Sequence, residues 1–108
     1  MNNKVYDLED LLIDFALQVD EIIEILPNTK LANQIASQLV RSSTSPALNY
    51  GEAQSSESHK DLVHKFKIIL KELRETGICL KIIVKKPLAQ TEIVNPVLDE
   101  NNQLIAIF

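Results

Sequence analysis

The segment from Ser58 to Lys85 repeats its apolar side chains every seven residues in three parallel columns, and that restricts the chain to one kind of architecture. Phe66, Leu73 and Leu80 share one heptad position; Leu62, Ile69, Thr76 and Ile83 share a second; Val63, Leu70, Gly77 and Val84 share a third. A two-stranded coil needs two such columns, so three describe a helix packed on several sides inside a bundle. Ser58 followed three residues later by Asp61 supplies the N-terminal cap, and Lys86-Pro87 stops the run. Gly77 costs about 1 kcal/mol relative to alanine in a helix interior. A close helix crossing at that residue is therefore expected.

Three further helical segments flank this one. The first is expected from about Asp7 to Leu26, with Asp7 as N-cap and Glu9 and Asp10 in the first turn, where the helix dipole favours acids. Leu8, Leu11, Leu12, Phe15, Val19, Ile22, Ile23 and Leu26 recur at helical spacing, and Pro27 ends the pattern. The second is expected from Asn28 or Thr29 to about Tyr50 on a stripe of Leu31, Ile35 and Leu39, with a kink near Ser42 caused by Pro46. Gly51 and Gln54-Ser55-Ser56 then break the pattern. Asn95-Pro96 reads as an N-cap followed by proline in the first helical position, opening the fourth segment. Its end, Leu104 to Phe108, has no cap and no cation, so it is expected either to have been cut short or to dock on a partner. Strict alternation of apolar residues never extends beyond a few positions. The expected fold is all-α, an antiparallel up-and-down four-helix bundle forming a single domain over residues 1–108.

At 108 residues and 45% apolar content, the chain buries enough surface for a core without metal or disulfide staples. Cys79, the single cysteine, rules out an internal disulfide and any Cys-x-x-Cys motif. Asp7, Glu9, Asp10 and Asp14 interrupt the apolar core an export signal needs, and no run approaches the roughly 20 residues that span a bilayer. A cytoplasmic protein without membrane contact is expected. The net charge of -4 is unevenly spread: residues 1–57 carry three cations and nine acids, whereas residues 58–86 carry eight cations and three acids. One basic element in an acidic protein argues against general nucleic-acid binding.

Within the second segment, Arg41, Ser45, Asn49 and Glu52 follow at steps of four, four and three, so a helix stacks them on one face. The favoured reading is a structural polar network that fixes the register of the bundle through Lys71, Glu72 and Glu75 of the third helix; the alternative is a ligand or partner site. Arg41 and Glu52 are three turns apart and cannot pair with each other. Glu72 and Glu75 are the expected partners of Arg41, and Lys65 or Lys71 that of Glu52.

The third helix also carries Lys60, Lys67, Arg74 and Lys81 at seven-residue intervals, with His64, Lys71 and Lys85 on an adjacent position. This basic strip is about 35–40 Å long at 1.5 Å per residue. A solvated outer face is its plainest reading; pairing with the acidic first helix of a neighbouring subunit and phosphate binding are the alternatives. Interleaved aromatics for base stacking are missing from it. Catalysis finds little support. The sequence has no Glu-x-x-His and no His-Glu-x-x-His, His59 and His64 do not share a helical face, and the two glycines cannot form a phosphate loop. No catalytic residue, metal ligand set or cofactor is expected, and Cys79 reads as a packed thiol.

RSSTSPALNYGEA, SSESHKD, KELRET and LDENNQLIAIF together resemble the bacterial four helix bundle protein family, whose founding members are encoded in intervening sequences of large-subunit ribosomal RNA genes. Arg41, Ser45, Asn49, Glu52, Lys71, Glu72 and Glu75 fall where the family pattern has them. The resemblance implies antiparallel four-helix protomers assembled as homopentamers. A distant relative is the accessory variability protein of diversity-generating retroelements, which binds a reverse transcriptase and nucleic acid and is strongly basic. The functional expectation is a non-enzymatic oligomeric scaffold; the alternative is an RNA- or DNA-binding or ribonucleoprotein accessory acting through the basic third helix.

Overall fold

Three of the four helices begin where a short polar side chain can take over an unpaired backbone N–H. In the computed structural model, which describes residues 7–108, these are α1 (Leu8–Glu24), α2 (Lys30–Ala53) and α3 (His59–Lys85); α4 (Thr91–Ile107) completes the set. Residues 1–6 of the expected single domain lie outside the described residues. Asp7 Oδ1 accepts from the Glu9 N–H at 3.0 Å, Thr29 Oγ1 from Ala32 at 3.1 Å and Ser58 Oγ from Asp61 at 3.1 Å. Each bond satisfies one of the four donors that a helix start leaves free. Among the described residues there is no strand.

Two boundaries differ from the sequence expectation. Helix α2 continues through Pro46 and Gly51 to Ala53, so the break falls at Gln54. Helix α4 begins at Thr91 rather than at Asn95-Pro96, and Pro96 lies inside it. The reason is packing. Val94 is fully buried and Val97 nearly so, which holds the turn before Pro96 in helical form. The Ile93 and Val94 N–H groups both donate to the Gln90 carbonyl, at 3.0 and 3.2 Å. Proline at Pro96 forgoes only the bond to the carbonyl of exposed Glu92, which water can satisfy.

Connections of five residues join each helix to the next, and connections that short make packed neighbours antiparallel. Helix α1 packs on α2, α2 on α3 and α3 on α4, while α4 closes more loosely onto α1; the diagonal pairs do not meet. The aromatic side chains agree with this course. Tyr50 near the end of α2, Phe66 near the start of α3 and Phe108 after α4 gather at one end of the bundle. Phe108 meets Tyr50 and Phe66 edge to face, with ring centroids 6.1 and 5.5 Å away. The apolar carboxyl-terminal stretch thus packs largely on its own bundle: Leu104 is buried, Ile105 and Phe108 lean on the core, and Ile107 is exposed.

The core contains Leu12, Phe15, Val19 and Ile22 from α1, Ile35 and Leu39 from α2, Ile69, Leu73, Leu80 and Ile83 from α3, and Val94, Val97 and Leu104 from α4. In the third apolar column of α3, Leu70 and Val84 are half-buried and Val63 is exposed, because this column lies at the edge of the core. Gly77 of that column is buried against Asn101, itself fully buried. A Cβ at Gly77 would come within 2.8 Å of Asn101 Nδ2. The close crossing expected from the glycine is the α3–α4 contact.

Gly77→Ala is expected to destabilise the fold by about 1–3 kcal/mol, the usual range for an overpacked core, despite alanine's better helix propensity. Chemical denaturation of Gly77→Ala, Asn101→Ala and the double variant checks the cause. The double variant is expected to lose less than the sum of the singles, because the clash needs both side chains.

Candidate functional site

Glu72 decides the geometry of the α2–α3 seam. Its side chain is only 7% exposed, and a carboxylate so far from water needs a cation and donors. Arg41 reaches across from α2 and supplies both. Arg41 Nη1 donates to Glu72 Oε1 at 2.8 Å and to Oε2 at 3.0 Å, while Nη2 donates to Glu75 Oε1 at 2.7 Å and to Gln38 Oε1 at 3.4 Å. A planar guanidinium suits this task because its donors diverge in fixed directions onto two carboxylates one turn apart. The hydrogen bond that Arg41 donates to Glu75 and the charge of Glu72 hold the Arg41 pKa above its usual value, so the cation is permanent.

The rest of the polar column divides into separate local contacts. Asn49 Nδ2 donates to Ser45 Oγ at 2.9 Å and to the Ser45 carbonyl at 3.0 Å, within α2. Glu52 pairs with Lys65 of α3. Lys71 approaches only Glu75, at 4.0 Å. The column lies beside the buried stripe of α2 and not within it. Arg41 and Glu52 are exposed and Ser45 and Asn49 half-buried, while Leu39, Ser42, Ser43 and Pro46 form the buried stripe beside them.

Two buried polar features escaped the sequence reading. Thr76 Oγ1 donates to Ser42 Oγ at 2.8 Å, wholly out of solvent, directly behind the Arg41–Glu72 pair. Asn101 is fully buried with no hydrogen-bond partner for its amide. Both had a visible signal. Thr76 stands in an otherwise apolar heptad column, and Asn101 occupies a core position between Val97 and Leu104.

Lys60, His64, Lys67, Lys71, Arg74, Lys81 and Lys85 are all exposed along α3, on the side away from its buried residues. Two hollows lie near the other charged groups. A groove of about 440 Å³ between α1 and α4 is lined by Leu8, Leu11, Glu100, Gln103, Leu104 and Ile107. A second of about 300 Å³ at the α2–α3 turn contains Glu52, Ser56, Asp61, His64 and Lys65. Neither includes Arg41, Glu72 or Glu75. Among the described residues no group of three or more His, Cys, Asp or Glu side chains is placed to hold a metal ion, and no helix is long and apolar enough to cross a membrane. Burial, reinforced by the charge of Glu75, pushes the Cys79 thiol up, which keeps it in the unreactive protonated form.

Four helices, tied across one seam by an arginine and two carboxylates, define an all-helical bundle. The chain belongs to the 23S rRNA-intervening sequence protein family, whose model matches residues 5–108. It is similar to a protein of unknown function from the S23 ribosomal protein family of Bacteroides thetaiotaomicron, whose crystal structure superposes with a TM-score of 0.81 at 24% identity over 94% of each chain. At that identity the likeness is one of fold. No curated protein matches the chain.

Arg41→Met is expected to lower the melting temperature by stranding the Glu72 carboxylate, and replacement of Glu72 by methionine in the same chain to recover much of the loss. An unchanged melt of Arg41→Met would rule out a structural role. Thr76→Val, which removes the buried hydroxyl that donates to Ser42, is expected to cost about 1–2 kcal/mol. At neutral pH Cys79 is expected to react with a disulfide reagent far more slowly in the folded protein than after denaturation, as thiol-release absorbance can follow.

Proposed function

We infer that this protein is a non-enzymatic, homo-oligomeric helical scaffold whose outer faces recruit other macromolecules. The observation that carries this reading is the apolar surface left after the core has closed. Leu48 is 66% exposed, Leu17 58%, Ile78 56% and Val40 53%, and further large apolar side chains are exposed on α1, α2, α3 and α4. Apolar groups spread over several faces of so small a domain favour burial between copies. A closed ring is the assembly proposed, with five copies as the family resemblance implies. The Arg41 cluster supports a structural rather than catalytic role, since its carboxylates are engaged by the arginine and its neighbouring hydroxyls by each other. A cytoplasmic setting fits a lone cysteine kept as a buried thiol.

The second reading is an RNA- or DNA-binding accessory acting through α3. It is favoured by the exposed cations from Lys60 to Lys85 and by a family named for intervening sequences of 23S ribosomal RNA.

Sedimentation velocity at micromolar concentration is expected to show a single closed oligomer; a well-folded monomer would overturn the scaffold reading. For the second reading, binding of a single-stranded RNA should weaken with salt, the slope of log affinity against log salt being about -0.7 per phosphate contact. Replacing Lys67 and Arg74 with alanine should flatten that slope.

A further inference from the structure

We propose that the outer face of α1 in one copy of this chain docks on the outer face of α3 in the next, joining the copies head to tail. This rests on the oligomeric reading above and names the surfaces that would build it.

The two faces are opposite in charge and alike in layout. Helix α1 contains no cation, and its exposed side carries Glu9, Asp10, Asp14, Asp20, Glu21 and Glu24 around Ile13 and Leu17. The exposed side of α3 carries Lys60, Lys67, Lys71, Arg74, Lys81 and Lys85 around Val63 and Ile78. At a helical repeat of 3.6 residues, Leu17 lies opposite the buried line of α1, and Ile78 opposite that of α3. Six acids bordering an apolar pair therefore face six cations bordering an apolar pair.

Each face is unfavourable by itself. Asp10 and Asp14, Asp20 and Glu24, Lys67 and Lys71, and Lys81 and Lys85 are like-charged pairs four residues apart, which weaken a helix. Glu21 and Glu24 crowd the negative end of the α1 dipole, and the last turn of α1 has no cation to offset them. Lys60 lies near the positive end of α3. Contact with the opposite face of another copy offsets each of these repulsions with an attraction.

One protomer cannot make this contact internally. Helices α1 and α3 are diagonal in the bundle, with no close backbone approach, so their outer faces point away from each other. Every copy thus offers one acidic and one basic face, and a repeated contact between unlike faces closes into a ring or continues as a filament. A nucleic acid is the weaker occupant of α3. Phosphates gain nothing from Val63 and Ile78, and Phe66, the helix's aromatic residue, is half-buried against Phe108 rather than free to stack on bases.

Charge exchange tests the contact. Asp14→Lys/Glu21→Lys/Glu24→Lys reverses one face, and Lys67→Glu/Arg74→Glu/Lys81→Glu reverses the other. Light scattering after gel filtration should show each triple variant reduced to monomer mass, with helical circular dichroism retained. The six changes combined in one chain should restore the wild-type mass. Zero-length carbodiimide coupling of the unaltered protein should join α1 carboxylates to α3 lysines in cross-linked dimers and not in monomers. Triple variants that keep the wild-type mass, or cross-links that avoid the α1–α3 pair, would overturn this contact while leaving an oligomeric scaffold intact. A monomeric wild type would overturn both. An α3 triple variant that stays assembled but loses binding of single-stranded RNA would assign the strip to nucleic acid.

Discussion

A single carboxylate that water hardly reaches governs the middle of this bundle. Glu72 faces α2 from α3, and its burial is tolerable only while the Arg41 guanidinium stays in place. One turn of slippage between the two long helices would carry Arg41 past Glu72 and leave Ser42 and Thr76 without each other. Apolar side chains alone discriminate poorly between neighbouring registers, since leucine packs against leucine one turn up or down. The ion pair and the hydroxyl pair behind it remove that ambiguity. Helices α2 and α3 also share the most extensive contact among the described helices.

Helices α1 and α4 lie on this framework with simpler chemistry. Helix α1 contributes Leu12, Phe15, Val19 and Ile22 and has no buried polar residue, whereas α4 adds Asn101 against Gly77. The α1–α4 contact is the loosest of the four, and the groove beside Leu8 and Ile107 lies there. The molecule measures 44 × 35 × 19 Å, flatter than a square bundle of the same length would be. Large apolar side chains remain exposed on every helix.

The outer surface is also where charge has been sorted. Acids dominate α1 and cations dominate the exposed side of α3, while α2 and α4 carry no comparable block. The proposed contact between copies draws on this segregation.

Helix number, helix type and most helix starts were legible in the chain itself, because they depend on interactions within a few residues of each other. Asp7, Thr29 and Ser58 cap the turns directly after them, and the heptad columns of α3 point to its core side. The pairing of Arg41 with Glu72 and Glu75 was also within reach, since an exact helical spacing leaves few partners of opposite sign. What the local pattern could not supply was anything settled by burial. Asn95-Pro96 has every mark of a helix start, yet packing of Val94 draws the preceding turn into α4. Arg41, Ser45, Asn49 and Glu52 share a face by sequence, but only the packed bundle sets that face at the rim and gives the buried stripe to Ser42, Ser43 and Pro46. Spacing along one helix determines which side chains stand together; which of them meet water is decided by where the other three helices lie.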